Sequence, residues 1–310
     1  MCRRNFCLMK KHKNSLAFYI VGILMGSTQG VVASFIDLNS YEIVLLRSVI
    51  GGVFVAVLFF GTGHRISEYR NKRDVFFITL SGTSMAVNWL LLYEAFTLIG
   101  VSVATIINFC APIIVVVLSP LIFRERLTLR KLLALALAVT GVFLISGQAV
   151  SHGLSVRGLL LALCAMVMNA AMVIFNKLSR ETKGIDNAAL QLVVAPIAVL
   201  LFFAVRGGFH FQIQMGDWIP ILWVGIVSTA LSNLLFFSTI GRLPAQTVSL
   251  CGYLEPASAA VLAAVILKET MTPVQILGAA LIVGGAVWGE GLYRKFMPCE
   301  RTGNGESLFK

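Results

Sequence analysis

Apolar and polar positions along this chain are grouped in long blocks. Ten windows of 17 to 24 residues carry few or no charges, and short polar segments separate them. The windows are 14–36, 43–60, 75–93, 101–123, 132–150, 158–176, 187–205, 218–241, 245–267 and 273–289. A helix of about 20 apolar residues crosses the ~30 Å hydrocarbon core of a bilayer. The pattern therefore predicts an all-α integral membrane protein with ten transmembrane helices, and it lacks the residue-by-residue alternation of a β-barrel.

The composition agrees with a membrane location. The chain is 58% hydrophobic and 13% charged, and its mean hydropathy is +0.88. A soluble domain is usually about one quarter charged. We therefore expect the lipid bilayer to be the main surroundings of this chain.

The placement of positive charge predicts the orientation. The net charge is +11, and if the N-terminus is cytoplasmic, 21 of the 25 Lys and Arg residues lie on the cytoplasmic side and three on the other. Cytoplasmic loops of membrane proteins carry this excess. We expect a multi-pass protein of the plasma (bacterial inner) membrane with two cytoplasmic tails, 1–13 and 294–310. Because the charge flanks the spans, it argues against nucleic-acid binding.

The cysteines do not predict a disulfide framework or a metal site. Cys2, Cys7 and Cys299 lie in the predicted cytoplasmic tails, where thiols stay reduced. The remaining three fall inside spans, and the chain contains no CxxC motif or Cys/His cluster. We expect neither a metal nor a cofactor.

The chain repeats itself at an offset of 144 residues. Pro112 and Glu125 recur as Pro256 and Glu269, with the same spacing of 13. Each half, 14–150 and 151–293, holds five predicted helices. Because five is odd, the second half should enter the membrane in the opposite orientation. Inverted repeats are typical of transporters in which two packings of one fold expose a midplane site alternately.

Three stretches resemble the EamA family of the drug/metabolite transporter superfamily. They are "LLRSVIGG" in the second span, "YEAFTLIGVSVATIINFCAPIIVVVLSPLIFRERLT" over the third and fourth, and "YLEPASAAVLAAVILKETMT" in the ninth. The resemblance covers residues 15 to 293. It implies a secondary carrier with a cavity lined by spans one, three, four, six, eight and nine, and with peripheral fifth and tenth spans. It also implies small metabolites as substrates, amino acids foremost, and export.

Glu255, within "GYLEPASAA", lies near the middle of an otherwise uncharged window. An ionisable residue at that depth is a candidate functional residue. It could carry a coupling proton, bind an amine of the substrate or only bridge two helices. The equivalent residue in the first repeat is Ala111.

Two prolines should disturb the fourth and ninth spans. Pro112 and Pro256 each remove a hydrogen bond near the middle of a span and clash with a carbonyl four residues back, at Asn108 and Gly252. The resulting kinks could open the backbone toward a cavity or only shape helix packing.

Arg47 lies seven residues inside the second span, and Glu94 ends the third span on the same predicted side. We predict that Glu94 neutralises Arg47. The alternative is that Arg47 forms an outer gate or contacts an anion.

Polar and aromatic side chains gather on the spans implied to line the cavity. They predict a substrate-binding set, although each could instead make a hydrogen bond between helices. The set is Gln29, Asn88, Trp89, Tyr93, Asn108, Asn169, Asn233, Tyr253 and Glu255.

The function expected from these features is alternating-access transport of a small polar metabolite. A multidrug or nucleotide-sugar-like carrier is the alternative within the same class. A channel or an intramembrane enzyme would be another class, and the four histidines, all in loops or tails, do not form the cluster that such an enzyme needs. The sequence leaves open whether protons are coupled and whether the protein is a monomer or a homodimer.

Overall fold

The computed structural model describes residues 2–64, 71–146, 155–179, 181–182, 184–206, 213–268 and 272–289. Within these ranges the secondary structure is entirely helical, so the predicted all-α class is confirmed. The predicted N-terminal tail continues into the first helix, whereas the C-terminal tail and Glu269 lie outside the described residues. The helices are α1 Cys2–Ala33, α2 Ser40–Gly61, α3 Lys72–Ile99, α4 Val101–Asn108, α5 Ala111–Phe123, α6 Leu129–Ser146, α7 Val156–Leu178, α8 Ile185–Arg206, α9 Trp218–Leu222, α10 Ser232–Ile240, α11 Ala245–Gly252, α12 Leu254–Ile266 and α13 Pro273–Gly289.

Eight segments in the described part of the chain are long and apolar enough to cross a membrane. Three of these segments contain more than one helix, because α4 with α5, α9 with α10, and α11 with α12 form continuous lengths. The apolar α13 is shorter, at 17 residues, and α6 has 18. Many large apolar side chains on the outer surface are exposed, among them Val57, Leu121 and Val265. The chain is therefore a multi-pass membrane protein.

Two of these segments are broken at equivalent positions. α4 ends at Asn108 and α5 begins at Ala111, while α11 ends at Gly252 and α12 begins at Leu254. The last residue before each break lies four residues before Pro112 or Pro256, where a proline ring would clash with a helical carbonyl. The breaks leave helix ends in the interior of the bundle.

A third segment contains an irregularity that the sequence pattern did not predict. Residues Trp223–Leu231, between α9 and α10, form a π-helix. Gly225 within it lets α2 come close, because a Cβ there would lie 2.6 Å from Cγ2 of Ile50. Such wide turns in helices are frequent at functional sites.

The α6–α13 pair lies at the side of the bundle. The two helices pack through glycines, since a Cβ on Gly141 would lie 2.5 Å from the carbonyl oxygen of Gly278. Both helices expose apolar side chains on their other faces, including Leu133 and Phe143 on α6 and Leu277 on α13. The remaining long helices from the two halves interleave, with α3 against α7 and α2 against α8.

Candidate functional site

A cavity of about 750 Å³ occupies the middle of the bundle. Its walls come from α1, α3, the α4–α5 break, α7, the π-helix with α10, and the α11–α12 break. These are the six spans that the family resemblance implied. In the described part of the chain, two further side chains reach the cavity from other helices, Arg47 of α2 and Ile145 of α6.

The cavity lining extends to the helix ends on one face of the bundle, which we call the open face. Ser34 and Leu267 directly follow α1 and α12, Phe96 lies in the last turn of α3, and all three line the cavity. Toward the other face, the closed face, the lining stops inside the helices. Val115 is eight residues short of the end of α5, and Phe236 is four short of the end of α10.

On the closed face, a polar cluster joins α5, α7 and α11; we call it the latch. Oε1 of Glu125 accepts a hydrogen bond from the backbone N–H of Ala245 at 2.7 Å, and Oε2 accepts one from Gln246 N at 3.2 Å. Nζ of Lys177 lies 3.8 Å from Oε1 of Glu125 and donates to the carbonyl of Leu243. A carboxylate at a helix N-terminus is favoured by the helix dipole, so the latch fastens the start of α11 to the two neighbouring helices.

Three of the predicted asparagines meet at the first break. Asn88 Nδ2 donates to Oδ1 of Asn108 at 2.8 Å and to the carbonyl of Ala165 at 2.8 Å. Asn169 Nδ2 lies 3.5 Å from the same Oδ1. All three asparagines line the cavity, and their amides also connect α3, α4 and α7.

Arg47 is buried beside the cavity, with 3% of its surface exposed. Its Cζ lies 4.1 Å from the centroid of the Trp89 ring, a cation–π geometry. Its Nε and Nη1 have no hydrogen-bond partner among the described residues. The guanidinium therefore keeps most of its donors unused at the cavity wall.

The structure does not form the predicted Arg47–Glu94 ion pair. Oε1 of Glu94 lies 3.5 Å from Nη2 of Arg157, and its other oxygen accepts from the hydroxyl of Tyr41. Arg47 is instead stacked on Trp89. Trp89 and Glu94 are five residues apart, so at 3.6 residues per turn they point about 140° apart around α3. A guanidinium on Trp89 faces away from Glu94, which lies outside the cavity.

Glu255 lines the cavity in the first turn of α12. Glu255 has a large accessible surface, and this surface forms part of the cavity wall. The side chain is therefore surrounded by protein although it is exposed. It starts a helix in the bundle interior, where the helix dipole attracts negative charge. Arg47 is the opposite charge that acts on it electrostatically, although no salt bridge joins the two in the described residues.

Tyr253 was predicted to bind substrate, and the structure places it elsewhere. It is fully buried at the second break, packed with Leu135 of α6 and Ile282 of α13. Its hydroxyl has no hydrogen-bond partner in the described part of the chain. Because α11 ends at Gly252, the direction of the Tyr253 side chain does not follow from the periodicity of that helix.

The other predicted residues lie at the cavity. Gln29, Trp89, Tyr93 and Asn233 line it. So do both prolines, Pro112 and Pro256, while the Asn233 amide donates to Thr229 O within its own segment at 2.7 Å.

Several hydroxyl groups at the cavity were not predicted. Tyr19 donates from its hydroxyl to the carbonyl of Val248 at 2.8 Å. Thr229 on the π-helix and Ser249 on α11 line the cavity, and their hydroxyls lack hydrogen-bond partners among the described residues. Ser and Thr are common in apolar helices, so the sequence carried no signal that would distinguish Thr229 and Ser249.

Metal-ligating residues do not cluster in the described ranges, where no group of three or more His, Cys, Asp or Glu could hold an ion. Cys110 and Cys164 are free thiols.

The fold and the cavity define a polytopic helical membrane protein with a small-molecule-sized chamber in its core, in the range of about 300–1,000 Å³ typical of ligand sites. Comparison with protein families narrows this class. The model of the EamA-like transporter family matches residues 14–147 and 156–288. The chain belongs to this family, which is a family of transporters and not of enzymes.

Relatives of known sequence agree. The chain is 25% identical over 279 residues to the uncharacterized transporter YxxF of Bacillus subtilis, covering 89% of each protein. It is 26% identical over 289 residues to the threonine/homoserine exporter RhtA of Escherichia coli, covering 90% of this chain and 93% of RhtA. A solved crystal structure with 18% identity superposes with a TM-score of 0.78 over 90% of this chain and 99% of its own. That likeness concerns the fold.

Proposed function

We propose that the protein is a secondary active transporter that exports a small polar metabolite, amino acids foremost, across the plasma membrane by alternating access. The observation that carries the proposal is a cavity with polar groups in its wall, whose lining reaches the helix ends on one face of the bundle and stops short of the latch on the other. In alternating access, one packing of the helices opens a central site to one side only.

An inverted repeat of ten spans would supply the two packings. The family model matches the chain twice, and detailed backbone features recur at the offset of 144. The helix ends at Asn108 and Gly252 are 144 residues apart, as are the left-handed residues Arg124 and Lys268, each with a φ of 56°. These coincidences support a division into repeats at 14–150 and 151–293.

The substrate class rests on the relatives and on the cavity. RhtA is named as an exporter of threonine and homoserine, both amino acids. Among the described residues, the cavity wall contains one cationic side chain, one anionic side chain, amides and aromatic rings, which suit a polar molecule with both charges. The export direction also comes from the name of this relative.

The orientation follows from the charge asymmetry of the sequence. If both termini are cytoplasmic, the closed face is cytoplasmic and the open face is external. The protein would then be in the outward-open state, in which an exporter releases its substrate.

Counterflow in proteoliposomes tests the proposal. Vesicles loaded with unlabelled amino acid should accumulate the radiolabelled form transiently, and uptake should saturate with concentration. A channel would equilibrate the label without transient accumulation. Absence of counterflow for every amino acid and for a panel of cationic drugs would contradict a carrier. Drug counterflow without amino-acid counterflow would favour the multidrug alternative. Repeating the measurement under an imposed pH gradient, with Glu255→Gln beside the unmodified protein, tests proton coupling.

A further inference from the structure

Two opposite charges face one chamber without neutralising each other. Arg47 enters from α2, and Glu255 enters from the second break. Each acts electrostatically on the other, yet no salt bridge joins them within the described ranges. Hydrogen-bonding groups of another molecule could therefore contact both.

Of the two charged side chains, Arg47 gives the stronger evidence for a ligand site. A buried charge without hydrogen bonds is strongly destabilising unless a partner compensates for its lost hydration. Trp89 covers one face of the guanidinium plane, and Nε and Nη1 on its edge are buried without an acceptor among the described residues. The planar edge of an arginine matches a carboxylate, with two parallel N–H donors facing two oxygens. The geometry at Arg47 is therefore suited to a carboxylate ligand.

Comparison of the two halves indicates that the fold itself does not require either charge. The position equivalent to Arg47, 144 residues later, is Gln191, whose side chain accepts a hydrogen bond from Asn176 at 3.2 Å. The position equivalent to Glu255, 144 residues earlier, is Ala111, which also lines the cavity. The same backbone positions are thus built with uncharged residues in the other half.

We propose that Arg47 and Glu255 form a two-charge clamp for a zwitterion, in which Arg47 binds the α-carboxylate of an amino acid and Glu255 binds its α-ammonium group. This rests on the proposed function and assigns its recognition to two residues. A ligand with only an anionic group would bind Arg47 but be repelled by Glu255. A ligand with only a cationic group would bind Glu255 but be repelled by Arg47. An α-amino acid satisfies both charges and brings no net charge into the membrane.

The rest of the chamber suits the substrate side chain. Tyr93, Phe96 and Phe236 supply aromatic wall, and Thr229 and Ser249 supply hydroxyls with no partner among the described residues. A chamber of about 750 Å³ is larger than the amino-acid backbone needs. The clamp would therefore fix the group common to all amino acids and leave the side chain to this second region.

The test uses ligands in which one charge is removed at a time. The purified full-length protein in nanodiscs is screened for binding by isothermal titration calorimetry against the twenty L-amino acids. The tightest binder is then compared with its amide, which lacks the carboxylate, and with its N-acetyl form, which lacks the ammonium. We expect the unmodified protein to bind the zwitterion at least tenfold more tightly than either derivative. Failure of all twenty to bind, or equal binding of a derivative, would overturn the clamp without any variant.

Variants assign the two ends of the clamp. Arg47→Gln should weaken zwitterion binding at least tenfold, whereas binding of the amide, which has no carboxylate, should weaken less. Glu255→Gln should also weaken zwitterion binding at least tenfold, whereas binding of the N-acetyl form, which has no ammonium group, should weaken less. Arg157→Gln and Asp37→Asn are matched controls, since both residues lie on the open face outside the cavity lining and should leave binding unchanged. If a Gln variant fails to fold, Arg47→Lys and Glu255→Asp keep the charges and should keep the ligand order.

The outcomes separate the clamp from the carrier. The clamp predicts that each variant affects least the derivative that lacks the matching charge. Counterflow of an amino acid without this pattern would overturn the clamp and leave the transporter proposal standing. Loss of binding by both Gln variants for all three ligands equally would mean that the charges serve the fold, and this too would overturn it. Absence of counterflow for all compounds would contradict the transporter proposal itself.

Discussion

Replacing Glu125 with glutamine should release the latch on the closed face. The carboxylate accepts the N–H groups of Ala245 and Gln246 and lies beside Lys177. Glutamine keeps one acceptor oxygen, but its NH₂ group would face one of these N–H donors. The variant therefore loses one charge-assisted hydrogen bond and weakens the other. It also leaves the Lys177 side chain, 8% exposed, without its anion.

The size of the effect follows from those contacts. A hydrogen bond to a charged group contributes about 1.5–3 kcal/mol. If the latch exists only while the closed face is closed, a loss of roughly 2–3 kcal/mol raises the population of the state open to that face about 30- to 150-fold, since each 1.4 kcal/mol is a factor of ten. The gain would be smaller if the open state formed replacement contacts for Lys177.

Cysteine accessibility measures this population. Val248→Cys is made in a chain whose native cysteines are replaced, because Val248 lines the cavity one turn inside α11. Everted vesicles present the predicted cytoplasmic face to a membrane-impermeant maleimide. We expect Glu125→Gln to raise the labelling rate at least tenfold.

Asp74→Asn provides a matched control. Oδ2 of Asp74 also accepts two backbone N–H groups, from Glu181 and Thr182, each at 2.7 Å, on the same face. These contacts do not involve the start of α11, so the control should lower thermal stability without changing the labelling of Val248→Cys. If Glu125→Gln behaves like Asp74→Asn, with a lower melting temperature and unchanged labelling, the latch is a structural contact and not a gate.

Three other perturbations probe packing, recognition and orientation. Gly141→Ala should lower the free energy of unfolding by about 1–3 kcal/mol, because its Cβ would lie 2.5 Å from a backbone carbonyl of α13. Gly284→Ala, with nothing within 4 Å, should change it by less than about 0.5 kcal/mol, and equal shifts in melting temperature would contradict the packing. Trp89→Leu removes a cation–π contact of about 0.5–2 kcal/mol that holds the guanidinium in place. Because the ligand must then order the guanidinium at up to that free-energy cost, amino-acid binding should weaken by up to about 2- to 30-fold by calorimetry; unchanged affinity would argue against the stacked guanidinium as the carboxylate site. An impermeant maleimide should label Asp37→Cys but not Gly241→Cys in intact cells, and the reverse pattern would refute the orientation.

Element type could be predicted from the sequence, because hydrophobic length alone determines it in a membrane. The apolar windows coincide with helices, and the positions of the breaks follow from proline chemistry at Pro112 and Pro256. The spans around the cavity were expected from the family resemblance rather than from composition. The π-helix at Trp223–Leu231 had no signal in the hydrophobic pattern, and α2 packs closely against Gly225 within it.

Side-chain partners were harder to predict than helices. Arg47 and Glu94 were paired by depth in the membrane, but depth says nothing about direction around the helix axis. Trp89, five residues before Glu94, points into the chamber and attracts the guanidinium. Tyr253 was assigned to the cavity because its neighbours in sequence line it, yet the break at Gly252 turns the ring toward α6 and α13. In both cases the missing information was rotation, which only the packed bundle provides.

The two broken segments share a backbone but differ in how they are held. At the first break, the Asn108 side chain accepts from Asn88 and lies near Asn169, so amides tie the break to α3 and α7. The equivalent of Asn108 at the second break is Gly252, which has no side chain to form such a tie. Glu255 follows it, and the latch holds only the distant start of α11. Among the described residues, the second break lacks the side-chain amide hydrogen bonds that hold the first, and Tyr19 contacts α11 only four residues before it, at the carbonyl of Val248. We therefore expect the second break to move when the latch opens, with Glu255 moving with it, which would couple the opening of the closed face to contact between this carboxylate and the substrate.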